Sequence, residues 1–111
     1  MRILFLGNNW VAWRVVHWLR EQGEQIVGLV VHPPHKRKYG DEIIHSAQVS
    51  PMQVFDGSSL HQPEVLDAIR ALQPGIGLSV LFGYILSPEF LDLFPAGVIN
   101  LHPSYLSLIH I

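Results

Sequence analysis

Residues 3–31 read ILFLGNNWVAWRVVHWLREQGEQIVGLVV, and the change of period inside this stretch decides the fold. Ile3 to Leu6 is a compact apolar run ended by Gly7-Asn8-Asn9, the pattern of a buried strand and a turn. From Trp10 to Gln22 the apolar residues Ala12, Val15, Val16 and Leu19 recur at spacings of three and four, which puts them on one helix face. Gly23 supplies the stop, and Asn8 or Asn9 the cap at the start. Ile26 to Val31 is a second strand with Gly28 inside it. Strand, helix and strand within about thirty residues form a βαβ unit, whose right-handed crossover makes the two strands parallel.

The rest of the chain extends that alternation. Pro33-Pro34 ends the second strand, and His35 to Gly40 is a polar loop. Asp41 to Ala47 reads as a short helix capped by Asp41, and Gln53 to Phe55 as a weak third strand. Pro63 suits the first position of a helix through Leu72, with Val65, Leu66, Ile69 and Leu72 on one face and Pro74-Gly75 beyond its end. Ile76 to Phe82 is an apolar strand. Ser87-Pro88-Glu89 opens a short helix through Leu93, Pro95 to Gly97 turns the chain, and Val98 to Leu101 is a last strand. The order predicts an α/β fold with an open, doubly wound, Rossmann-like and mostly parallel sheet. No repeat or interdomain linker interrupts it.

Hydrophobic residues make up 49% of the 111 residues and charged ones 14%, which is apolar for a small free-standing domain. Strands buried on both faces of a parallel sheet account for this, as do faces meant to pack on a further segment. A formal net charge of −2 leaves no electrostatic footprint for nucleic acid. With no cysteine, disulfides and thiolate chemistry are excluded. The apolar run after Met1-Arg2 is broken too early for a signal peptide, and no stretch is long enough to span a membrane, so a cytoplasmic protein is expected.

The first βα turn is where such sheets hold a phosphate. Gly7-Asn8-Asn9-Trp10-Val11-Ala12 lacks the second glycine of the dinucleotide fingerprint, and His32-Pro33-Pro34 stands where a ribose-binding acid belongs. Both features argue against NAD and a dehydrogenase fragment. Two readings remain for Asn8 and Asn9, helix capping and contact with a polar substrate group. His32 and His35 flank two prolines with no acidic or sulfur ligand close in sequence, His17 is inside a helix, and His45, His61 and His110 are scattered, so these read as ordinary loop and surface residues and no metal is expected. Lys36-Arg37-Lys38 reads as a solvated loop.

Leu81-Phe82-Gly83-Tyr84-Ile85-Leu86 leaves the carboxyl end of a strand, the edge where open α/β sheets bind ligands. A mostly apolar loop with exposed backbone suits a flat heterocycle. Further on, Asn100 and His102 are two apart on a strand and project from one face before Pro103 stops it. Such a pair serves acyl transfer to an amine, the amide at the carbonyl oxygen and the imidazole at the proton. It equally satisfies local backbone at a strand end.

Gly97-Val98-Ile99-Asn100-Leu101-His102-Pro103-Ser104-Tyr105-Leu106 resembles the signature of the 10-formyltetrahydrofolate-dependent formyltransferases, and Ile85-Leu86-Ser87-Pro88 is similar to the stretch that contacts the pterin in that family. The opening βαβ unit is similar too, so residues 1–106 look like the N-terminal part of the catalytic domain. The resemblance implies that Asn100 polarises the formyl oxygen and that His102 takes part in proton transfer. It implies that Tyr84, Ile85 and Leu86 border the folate slot; Gly83 is expected beside them, and Asn8, Asn9 and Ser104 as secondary substrate contacts. The formyl donor would be 10-formyltetrahydrofolate, with neither metal nor NAD. Ser107 to Ile111 does not match the family's continuation toward an aspartate that orients the histidine. A truncated reading frame, inactive on its own, is therefore expected. Tyr105 and the first turn favour a nucleotide-linked amino sugar as acceptor over methionyl-tRNA, with glycinamide ribonucleotide as a further family acceptor. The alternative from another class is a non-catalytic α/β module that binds folate or a nucleotide.

Overall fold

The computed structural model describes residues 1–101, so the expectations for His102, Ser104 and residues 107–111 lie outside the described residues. Among these, β1 (Arg2–Gly7), β2 (Gln25–Val31), β3 (Val54–Asp56), β4 (Ile76–Val80) and β5 (Val98–Leu101) form one sheet in the order β3-β2-β1-β4-β5. Every pairing is parallel. The chain builds outward from β1 to β3, then returns to lay β4 on the other side of β1. That reversal makes the sheet open and doubly wound, as the sequence predicts.

Side chains alternate across the sheet and feed two cores. Ile3 and Phe5 of β1 pack with Ala12, Val16 and Leu19 of α1 (Asn9–Glu21) and with Ile43 and Ala47 of α2 (Gly40–Ala47). Leu4 and Leu6 face the other way, toward Ile69 of α3 (Pro63–Ala71) and Phe90 of α4 (Pro88–Leu91). Because β1 and β2 are covered on both faces, both read as continuous apolar runs. Leu4, Phe5 and Leu6 are wholly buried, and each such side chain contributes about 1.5–3 kcal/mol of transfer free energy. Arg20 ties the two helices of one layer together, its Nε donating to the Ala47 carbonyl at 2.7 Å near the end of α2.

Four local expectations need correction. β4 stops at Val80 and not at Phe82, because Leu81 adopts a left-handed φ of 52° and turns the chain out of the sheet. Tyr39, also left-handed at φ 60°, precedes α2, so Asp41 sits within the first turn and favours the helix dipole without capping it. Asn8 occupies the position before α1 but makes no capping bond with its side chain. β3 begins one residue late because Gln53 closes a tight turn: its Oε1 accepts from the Ser50 N–H and its Nε2 donates to the Val27 carbonyl, each at 2.9 Å.

Candidate functional site

Two turns stand side by side at the carboxyl edge of the sheet, one leaving β1 and one leaving β4. The first is closed. Asn8 is 8% exposed and its Oδ1 accepts from the Lys38 N–H at 2.8 Å. The Asn9 N–H donates to the Lys38 carbonyl at 2.8 Å, and the Trp10 N–H donates to Asn9 Oδ1 at 2.6 Å. The Asn9 and Trp10 amides at this helix start are thus engaged within the protein, with Asn8 stitched to the loop after β2.

The second turn is open. Phe82 enters the α3/α4 core, and the backbone then runs outward through Gly83, Tyr84, Ile85 and Leu86. These residues, with Ser79, Phe82, Leu91, Val98 and Asn100, line a cavity of about 460 Å³. Ser79 and Asn100 are register neighbours on β4 and β5, so their side chains emerge together on the α3/α4 face. The structure therefore gathers Gly83, Tyr84, Ile85, Leu86 and Asn100 at one place and leaves Asn8 and Asn9 off its lining.

The cavity walls are aromatic and aliphatic, and its polar groups are few. The N–H groups of Tyr84, Ile85 and Leu86 donate to no group among the described residues. A largely apolar slot with hydrogen-bonding backbone along one rim fits a flat heterocycle whose edge carries donors and acceptors. Ile85 is 97% exposed and forms an apolar lip between this cavity and a smaller one of about 120 Å³ bounded by Gly57, Leu60 and Ser87.

His32 is not the surface residue the sequence suggests: it is buried behind the cavity, against residues that line it. It directly follows β2, is 8% exposed, and its Nε2 accepts the Gly83 N–H at 3.0 Å. Its ring stands edge-on to Phe82 and Tyr84, with centroids 5.3 and 5.1 Å away. Burial pushes the His32 pKa below its ordinary value; a hydrogen bond with the Lys36 backbone and the Asp56 carboxylate oppose this, and the Lys36 ammonium adds to it. Two glycines make room for the arrangement. A Cβ on Gly57 would lie 2.6 Å from Phe82 Cζ, and one on Gly83 would lie 3.0 Å from His32 Cε1. The available signal for His32 was its place just past an apolar strand, at the edge where ligands bind. Among the described residues no cluster of three His, Cys, Asp or Glu could hold a metal ion. No helix among them is long and apolar enough to cross a membrane.

Sheet order defines an open α/β protein of the Rossmann-like class, with a cavity at the carboxyl ends of β4 and β5. A family model described as formyl transferase matches residues 1–108. The chain belongs to that formyl transferase family. Methionyl-tRNA formyltransferase of Chloroflexus aggregans is 34% identical over 113 residues, covering 97% of this chain and 37% of that protein. The enzyme of the same name from Geobacter sulfurreducens is 32% identical over 111 residues, covering 96% and 35%. The chain thus spans about a third of the length of the curated relatives it matches. Among solved structures, glycinamide ribonucleotide transformylase 1 from Geobacillus kaustophilus superposes with a TM-score of 0.66 over 96% of this chain and 61% of its own, at 16% identity, a likeness of fold alone.

Proposed function

We propose that this chain forms the donor-binding part of an enzyme that moves a formyl group from 10-formyltetrahydrofolate to an amine. The observation that carries the reading is the convergence of the Gly83–Leu86 backbone and Asn100 on one cavity at the carboxyl edge of the sheet. Phe82, Tyr84, Leu86 and Leu91 supply apolar walls for a pteridine, and the N–H groups of Tyr84 to Leu86 supply partners for its polar edge. When bound, the folate presents an activated formyl group on N10. Asn100 donates a hydrogen bond to the formyl oxygen as charge develops there, an effect worth about 2.7–4 kcal/mol for one well-aimed donor. His102, in the role the family resemblance implies for it, takes the proton of the attacking amine. Residues beyond the matched segment orient that histidine, so the 111-residue chain alone binds donor without turnover.

For the acceptor, the names of the matched relatives favour methionyl-tRNA, against the amino-sugar preference drawn from Tyr105 and the first turn. The test of the donor slot is amide-resonance mapping of the labelled chain titrated with 5-formyltetrahydrofolate, a stable isomer of the donor. Shifts confined to Gly83–Leu86 and Asn100 are expected. Shifts at Gly7–Ala12, or none at either segment, would sink the reading. Incubation with 10-formyltetrahydrofolate and methionyl-tRNA should give no formylated product, and product from the chain alone would show that further residues are not required.

A further inference from the structure

We propose that His32 is a positioning residue of the donor slot: by accepting the Gly83 N–H at Nε2 it holds the Gly83–Leu86 backbone in the shape that forms the cavity. The identity of the ligand rests on the donor reading above; the positioning role does not. Among the described residues, Gly83 N–H to His32 is the sole hydrogen bond made by the backbone of Phe82 to Leu86. Beyond the packing of Phe82 in the core, the backbone of this loop is therefore hydrogen-bonded at one point, and its acceptor there is a side chain.

His32 is itself held from several sides. Its carbonyl accepts from Arg37 Nε at 3.0 Å, and Phe82 and Tyr84 flank its ring. Lys36 Nζ lies 5.9 Å from the Tyr84 ring, on the same side of the slot. Gly57 lets Phe82 and Tyr84 come close enough to do this. The charged and titratable groups around the imidazole are Lys36, Arg37, Asp56 and Tyr84.

An imidazole nitrogen accepts a hydrogen bond only when it carries no proton, so the bond requires neutral His32 with its hydrogen on Nδ1. Protonation turns Nε2 into a donor facing another donor. The single tie is then lost and Gly83–Leu86 leaves the cavity-forming position. The slot exists at neutral pH and is dismantled in acid.

The test compares the wild-type chain with His32→Gln, whose amide oxygen reaches about as far as Nε2, and with His32→Ala, which has no acceptor. In the wild type the Gly83 amide resonance should move in step with the His32 titration. The dissociation constant for 5-formyltetrahydrofolate should rise about ten-fold below the midpoint, the size of one lost hydrogen bond. In His32→Gln both readouts should stay near their neutral wild-type values and become flat with pH. In His32→Ala both should be lost at every pH. A Gly83 resonance that ignores the His32 titration overturns the proposal, as does full affinity in His32→Ala. If the alanine variant does not fold, a wild-type acid loss in His32→Gln overturns it equally. If the probe binds at no pH while Gly83 still follows His32, the donor reading falls and the positioning role stands.

Discussion

The turns that leave β1 and β4 are neighbours on one sheet edge, and they are built to opposite ends. The β1 turn spends its polar groups inward: Asn8 on Lys38, the Asn9 N–H on the Lys38 carbonyl and the Trp10 N–H on Asn9. Among the described residues the Phe82–Leu86 backbone of the β4 turn hydrogen-bonds at Gly83 alone, and the turn faces a cavity. An open α/β sheet offers both positions to a ligand. What decides between them here is which loop has amides left over, more than which loop contains glycine or asparagine. The closed turn follows β1, buried from Ile3 onward, whereas the open one adjoins the largely exposed edge strand β5.

The difference is broken most directly by removing bulk from each side. Phe5→Ala empties a wholly buried position between β1 and α1, and should destabilise the chain by about 3–5 kcal/mol. Ile85→Ser, on the lip of the open turn, should change stability by no more than about 0.5 kcal/mol. Urea midpoints of the two variants measure the contrast, and comparable losses would mean that the open turn is as integral to the core as the closed one.

Gly57→Ala is a sharper probe because it acts on the slot from behind. The added Cβ would press on Phe82 and Tyr84, at 2.6 Å from Phe82 Cζ, and overpacking of this kind costs about 1–3 kcal/mol. Binding of 5-formyltetrahydrofolate should weaken with stability. A variant that loses stability but keeps its affinity would show that the aromatic pair does not shape the cavity.

Asn8→Ala makes the converse case. It leaves the Lys38 N–H without its acceptor, at a cost of about 1 kcal/mol, and should leave affinity for the donor analogue unchanged. A drop in affinity larger than the drop in stability would return Asn8 to the list of ligand contacts.

The fold was legible because its determinants are local. The apolar runs of β1 and β2 and the three-and-four spacing of Ala12, Val16 and Leu19 each report burial directly. The cap at Ser87, whose Oγ accepts the Phe90 N–H at 3.2 Å, is a short-range bond between residues three apart. What the sequence hid is long-range. His32 and Gly83 are fifty-one positions apart, and a histidine between an apolar strand and two prolines looks the same whether it faces water or a loop across the sheet. Left-handed Leu81 and Tyr39 were equally invisible, since neither residue type favours that conformation and tertiary packing imposes it. That the Gly83–Leu86 segment and Asn100 share a cavity was legible because they sit at strand ends. The pairing of Ser79 with Asn100 needed the sheet order.

The smallest expected effect concerns pH, and its sign follows from burial. In the unfolded chain His32 titrates near the ordinary histidine value of about 6.5, and in the folded protein its pKa is lower. Above the ordinary value both states are neutral and His32 does not make stability pH-dependent. As pH falls through that value the unfolded chain takes up a proton that the folded protein refuses, so stability declines, and it levels off only below the folded pKa. His32→Gln removes the group, and the difference between its urea midpoint and that of the wild type should therefore favour the variant increasingly as pH is lowered. Asp56 and the other carboxylates titrate in both proteins and cancel in that difference. A difference that is flat across the acid range would mean that His32 takes its proton as readily folded as unfolded. The hydrogen bond from the Gly83 N–H to His32 would then not depend on a neutral ring.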